Sequence, residues 1–100
     1  LIDSKMPVFC IITEGSHRDK MISNIREVKS RNGKVIVLTN CSEKLDKSWY
    51  DDIIIFEKTE DLLSPFLSSV SIQIFAVNLA LARNLDIDKP RNLAKSVTVE

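Results

Sequence analysis

Glycine and proline are scarce in this sequence, which has two Gly and three Pro among its 100 residues. That leaves little material for flexible linkers, low-complexity segments or a collagen-like repeat, so we expect one small globular domain or a piece of a larger one. Net charge is absent as well, because 14 basic residues balance 14 acidic ones. The composition therefore excludes a broad basic surface of the kind that binds nucleic acid or anionic lipid.

Cysteine and histidine are also few: the chain has two Cys and one His. Cys10 lies in an apolar run and is expected in the core, whereas Cys41 lies in a polar loop and is expected to be more exposed. Neither has a C-x-x-C or Cys/His spacing, so no metal and no cofactor are predicted, and reduced thiols in a cytoplasmic protein are expected. His17 stands at a helix start without a partner carboxylate, which is typical of a surface residue.

Charge is missing altogether from Leu62 to Ala82, a stretch long enough to span a bilayer. Six polar side chains inside this stretch weaken the case for lipid exposure; they are Ser64, Ser68, Ser69, Ser71, Gln73 and Asn78. Apolar residues on all sides favour a helix that is buried by other parts of a soluble assembly or by a second subunit. No membrane partner is predicted.

What is present is a regular alternation of strand and helix signals. Three apolar runs predict buried parallel strands at Pro7–Thr13, Lys34–Thr39 and Asp52–Phe56. Helical spacing after a capping-box-like Ser16 predicts a first helix that ends at Asn32-Gly33, and Ser64-Pro65 opens a second that continues to about Asn84. The order predicts an α/β fold with a parallel sheet and right-handed crossovers.

Three strands are few for an open α/β sheet, which usually has about five or six. Since the chain also opens on a loop-like Leu1-Ile2-Asp3, we interpret residues 1–84 as the C-terminal three strands and two helices of a larger subdomain. Ligands of such sheets bind beyond the carboxyl ends of the strands. The Gly15-Ser16 turn there is a weak candidate phosphate site. Residues 85–100 form a tail that composition alone would class as a frayed terminus.

That tail carries a specific motif. The segment Pro90-Arg-Asn-Leu-Ala-Lys-Ser-Val-Thr-Val-Glu100 resembles the C-terminal signature of the isomerising glucosamine-6-phosphate synthases, and Asp86-Ile87-Asp88 resembles the lead-in to it. Residues 1–84 are compatible with the second sugar isomerase (SIS) subdomain of that family, a three-layer, flavodoxin-like parallel α/β unit. Asn84 departs from the family, whose members often have Gly there.

The resemblance implies a glutamine-dependent aminotransferase that converts fructose 6-phosphate to glucosamine 6-phosphate. It implies that Lys95 is the catalytic amine acting at C2 of the sugar and that Ala94 and Lys95 lie beside the bound sugar phosphate. It also implies a glutaminase domain and a first SIS subdomain upstream, and a homodimer. The family's catalytic glutamate, its histidine, its phosphate loops and its glutaminase cysteine match nothing in this chain, so these 100 residues are expected to be inactive alone.

Two other interpretations remain open at this point. One is a non-catalytic SIS module that binds a sugar phosphate as a regulator. The other is a flavodoxin-like interaction domain with no sugar ligand, which the tail motif disfavours.

Overall fold

The computed structural model describes residues 2–89 and confirms the predicted α/β fold. Strands and helices alternate along the chain, and two short 3₁₀ turns lie between the second and third strands. In chain order the elements are β1 (Pro7–Ile12), α1 (Arg18–Ser30), β2 (Lys34–Thr39), the 3₁₀ turns Ser42–Lys44 and Lys47–Trp49, β3 (Asp52–Ile55) and α2 (Ser64–Ala82).

The three strands form one parallel sheet in the order β1-β2-β3. Val37 of the central strand pairs with Cys10 on one side and with Ile53 on the other. β2 is the central strand, and its Val35, Val37 and Leu38 have no exposed surface. This burial explains why β2 reads as an uninterrupted apolar run, as strands covered on both faces do.

Helix α1 supplies the cover for one face of this sheet. Its Ile25 is 1% exposed and lies in the hydrophobic core with Cys10, Ile12, Val35, Val37 and Cys41. The helix ends as predicted: Asn32 has a φ of 59°, and the N–H of Gly33 donates to the carbonyl of Val28 at 3.1 Å. A left-handed residue that closes such a bond is a common way to end a helix.

The predicted start of α1 was wrong. The N-cap is His17 rather than Ser16, and no side chain caps the helix. The reason is a turn just before it, in which the N–H of Arg18 donates to the carbonyl of Gly15 at 3.3 Å. This turn uses Ser16 in its middle, so the first helical residue is Arg18.

Asp51 ties three elements together at the amino end of the sheet. Its carboxylate accepts the N–H of Val35 at 2.7 Å and the ammonium of Lys29 at 2.9 Å. Its own N–H donates to the carbonyl of Val35 at 2.8 Å. The C-terminal turn of α1, the start of β2 and the approach to β3 are therefore joined by one carboxylate.

Helix α2 begins at Ser64 followed by Pro65, as the sequence predicts. The chain divides into two compact units after Ser69, so α2 belongs to both. Among the helices of residues 2–89, only α2 is long and apolar enough to cross a membrane by length and composition, and little of it is buried. The burial predicted for this helix is therefore not supplied by residues 2–89.

Candidate functional site

Charged side chains gather at the carboxyl edge of the sheet, where α/β folds bind their ligands. Glu14 follows β1, Glu43 and Lys44 follow β2, and Lys58 follows β3. We call these four residues the edge cluster. Parallel strands bring residues distant in sequence to the same edge, so Glu14 meets a lysine thirty residues further along the chain.

Direct bonds connect the edge cluster. The carboxylate of Glu14 pairs with Lys44, and its second oxygen lies 3.6 Å from the ammonium of Lys58. Lys58 in turn donates to Glu43 at 2.6 Å. The backbone N–H of Glu14 donates to Oδ1 of Asn40 at 2.9 Å, and Asn40 is itself buried at 4% exposure. A buried amide thus holds the loop that carries Glu14 against the end of β2.

The edge cluster is electrically balanced. The hydrogen bond from Lys44, followed by the charges of Lys44 and Lys58, holds the pKa of Glu14 below its usual range. The hydrogen bond with Lys58 likewise lowers the pKa of Glu43 and raises the pKa of Lys58. The cluster thus consists of two carboxylates that are paired with two lysine side chains. No surplus positive charge in the cluster is available to an anionic ligand.

A cavity of about 400 Å³ lies beside this cluster, between the β1–α1 loop and the start of α2. Gly15, Ser16, His17 and Asp61 are among its lining residues. A Cβ at Gly15 would lie 3.3 Å from a carboxylate oxygen of Asp61, and the φ of Gly15 is +148°, a conformation that L side chains rarely adopt. The carboxylate of Asp61 disfavours a phosphate at this position, and the guanidinium of Arg18, which also lines the cavity, is already paired with Asp19 at 3.2 Å. The geometry therefore gives little support to the candidate phosphate site at Gly15-Ser16. His17 is exposed, as predicted.

The expectation that Cys41 is exposed was wrong. Cys41 has no exposed surface, and Cys10 has 7%. The N–H of Cys41 donates to the hydroxyl of Thr39 at 3.1 Å, which turns the chain inward at the end of β2 and places the thiol in the core. Both thiols are free, and burial raises the pKa of Cys10. Within residues 2–89, no three His, Cys, Asp or Glu side chains are grouped as they would be to hold a metal ion.

The sites predicted from the tail, Lys95 and Ala94, lie outside the residues that the structure describes. The lead-in to them is described. Helix α2 gives way to Asn84 with a φ of 54°, and Oδ1 of Asp86 then accepts the N–H groups of Asp88 and Lys89, both at 2.9 Å. The sequence analysis identified the Asp-Ile-Asp pattern but did not predict this turn. The signal was available, because an Asp side chain often accepts a hydrogen bond from the backbone two residues later and so forms a turn.

Comparison with known proteins matches residues 1–83 to the SIS domain family. The whole chain is 42% identical to glutamine–fructose-6-phosphate aminotransferase (isomerizing) of Synechocystis and 46% identical to the protein of that name from Methanosarcina acetivorans. In each case the match covers 100% of this chain and 16% of the relative, so the chain spans about a sixth of the length of those proteins. These matches confirm the resemblance predicted from the tail.

A solved structure shows the same fold. The C-terminal domain of glucosamine-fructose-6-phosphate aminotransferase from Francisella tularensis is similar with a TM-score of 0.79 and 22% identity. The match covers 88% of this chain and 25% of that one. It confirms the strand and helix arrangement as that of a known parallel α/β domain.

Proposed function

The chain belongs to the SIS domain family, and we propose that it is the C-terminal part of an isomerase domain that makes glucosamine 6-phosphate from fructose 6-phosphate and glutamine. The observation that carries this proposal is the extent of the similarity. It runs along the entire chain, tail included, to two relatives that bear the name of this aminotransferase. A likeness of the SIS fold alone would end with the match at residue 83 and would leave the tail unaccounted for.

The proposed chemistry centres on Lys95. An amine attacks the C2 carbonyl of the open-chain sugar only when it is deprotonated, and the reference pKa of lysine is about 10.4. A dry site or a neighbouring cation would lower that pKa toward neutrality. Attack forms a carbon–nitrogen bond and, with loss of water, an imine between Lys95 and C2. The backbone at Ala94 would lie beside the same sugar. No cofactor is needed for these steps.

The proposed partners complete the site from outside this chain. Ammonia would come from the protein's own glutaminase domain, and the first SIS subdomain would supply the phosphate loops and the remaining catalytic groups. The exposed side chains of α2 support an extensive interface: Phe66 is 70% exposed, Val70 53% and Ile74 58%. We propose that upstream parts of the same protein or a second subunit cover this helix in a cytoplasmic homodimer.

The test is a Lys95→Arg change in the full-length protein. Arginine keeps a positive charge but does not deprotonate near neutral pH, so it cannot attack a carbonyl. Glucosamine 6-phosphate formation should fall by at least about 100-fold, the scale on which catalytic proton-transfer groups act. Glutamine hydrolysis should persist, because its nucleophile lies in another domain.

Lys89→Arg is the matched control, since it makes the same exchange at an exposed lysine on the lead-in. It should leave both rates near those of the unaltered protein. Near-normal synthesis by Lys95→Arg would contradict the role proposed for Lys95. Absence of synthesis by the unaltered full-length protein would contradict the proposed function and would leave a sugar-phosphate-binding SIS module.

A further inference from the structure

The cavity between the β1–α1 loop and the start of α2 has a lining that fits a ligand of a particular kind. We propose that it binds a small ammonium compound that carries hydroxyl groups, of which an unphosphorylated amino sugar is the simplest example. Three features carry the proposal: a buried hydroxyl without a hydrogen bond, a carboxylate without a paired cation, and a volume suited to a small molecule. None of them depends on the role of Lys95.

Ser64 at the start of α2 supplies the buried hydroxyl. Only 5% of Ser64 is exposed, and no group in residues 2–89 forms a hydrogen bond with its hydroxyl. Ser68, one turn further along the helix and 7% exposed, instead donates to the carbonyl of Pro65 at 3.1 Å. Within residues 2–89, every side-chain nitrogen or oxygen that is sealed from solvent has a hydrogen-bond partner. The hydroxyl of Ser64 therefore stays accessible, and the cavity that Ser64 lines provides that access.

Asp61 supplies the unpaired carboxylate. The other carboxylate and the guanidinium in the lining already have partners, since Glu14 pairs with Lys44 and Arg18 pairs with Asp19. The carboxylate of Asp61 forms no ion pair or hydrogen bond within residues 2–89. A negative charge that disfavours a phosphate attracts an ammonium group. The lining therefore selects a ligand with a positive charge and without a phosphate.

The volume and the rest of the lining suit a sugar ring. The cavity holds about 400 Å³, within the range of small-molecule sites, and lies at the carboxyl edge of the sheet. Ile11, Met21 and Pro65 give it apolar walls, and Thr13 adds a second hydroxyl. A pyranose presents hydroxyl groups around its rim and C–H groups on its faces, so it matches both kinds of lining.

The experiment uses free glucosamine as the probe and measures its binding to the full-length protein by calorimetry at about pH 7, where its amine is largely protonated. Asp61→Asn keeps the shape of the side chain but removes its charge, and it should weaken binding about tenfold. Ser64→Ala should weaken binding about fivefold. Ser68→Ala is the matched control, because this serine is similarly buried on the same helix but does not line the cavity. It should bind glucosamine as the unaltered protein does.

Two further sugars separate the charge of the ligand from its hydroxyl groups. Glucose lacks the amine, and N-acetylglucosamine has the nitrogen without its charge. Both should bind the unaltered protein about as weakly as glucosamine binds Asp61→Asn. Their affinities should not change further in Asp61→Asn, because neither sugar has an ammonium group for the carboxylate to attract.

Several results would overturn the proposal. One is no binding of glucosamine by the unaltered protein. Another is an equal affinity in the unaltered protein, Asp61→Asn and Ser64→Ala, which would place the sugar at a different site. A loss in Ser68→Ala as large as in Ser64→Ala would also overturn it, because a general disturbance of α2 would then explain both. The proposed function is tested apart from this: an inactive Lys95→Arg together with no glucosamine binding would refute this inference alone.

Discussion

An Asp51→Ala change tests how much the carboxylate of Asp51 contributes to the stability of the fold. The change removes the acceptor of the Val35 N–H, at 2.7 Å, and the partner of the Lys29 ammonium, at 2.9 Å. A hydrogen bond to a charged group contributes about 1.5–3 kcal/mol to stability. Because the side chain of Asp51 is 40% exposed, water compensates part of that loss. We expect a destabilisation of about 1.5 kcal/mol, with no more than about 0.5 of it from the exposed ion pair.

Acid should erase this difference. The N–H of Val35, and after it the Lys29 ammonium, holds the pKa of Asp51 below its usual range. A lowered pKa in the folded state means that the stabilisation is complete above the unfolded pKa, about 3.9, and is lost as the pH falls through the folded value. The unfolding free energies of the unaltered chain and of Asp51→Ala should therefore differ by the full amount at pH 6. This difference should begin to shrink below about pH 4 and continue to shrink as the pH falls through the folded pKa of Asp51.

Urea unfolding followed by the fluorescence of Trp49, the single tryptophan, measures this difference. Trp49 packs against the core two residues before Asp51, so its signal reports the relevant region. Asp52→Ala is the matched control, because Asp52 is exposed and its carboxylate accepts no hydrogen bond within residues 2–89. A penalty for Asp51→Ala that matches this control, or that persists unchanged into acid, would refute the assigned role.

Three further outcomes are expected. Cys10 and Cys41, 7% and 0% exposed, should both react slowly with a thiol reagent until urea unfolds the chain, and rapid labelling of folded Cys41 would contradict its burial. Gly33→Ala should lower the unfolding free energy by about 1–2 kcal/mol, because a Cβ there would lie 2.7 Å from a methyl of Val28. An unchanged midpoint of urea unfolding would contradict the steric conflict at Gly33. The isolated chain should self-associate in sedimentation through α2, and Ile74→Glu, at a position 58% exposed, should reduce that association; a monomeric unaltered chain would rule it out.

The strands and helices could be predicted because each is defined by local pattern. Residues 34–39 form an apolar, β-branched run, and only a strand covered on both faces needs such a run, so β2 was placed with its observed bounds. Ile25 and Val28 recur at helical spacing and face the core as that spacing requires. The parallel pairing of the three strands followed from their alternation with helices.

The carboxyl edge could not be predicted, because its contacts join residues that are far apart in sequence. Glu14, Lys44 and Lys58 each lie in a polar loop, and nothing in their local patterns distinguishes them from other surface charges. The burial of Cys41 had the same origin: its loop is polar, but a hydrogen bond to Thr39 turns the thiol inward. Lys95 was singled out by an eleven-residue motif and not by any contact, and its role stays a prediction.

The balance of charge at the carboxyl edge of the sheet disfavours the binding of a phosphate there. A sugar phosphate carries up to about two negative charges and needs a surplus of donors or cations to replace its water. At this edge two carboxylates already occupy both lysines of the edge cluster, and Asp61 adds a further carboxylate beside the cavity at Gly15. Bringing a phosphate there would break existing ion pairs without a net gain of positive charge. The edge cluster is therefore poorly suited to binding a phosphate group.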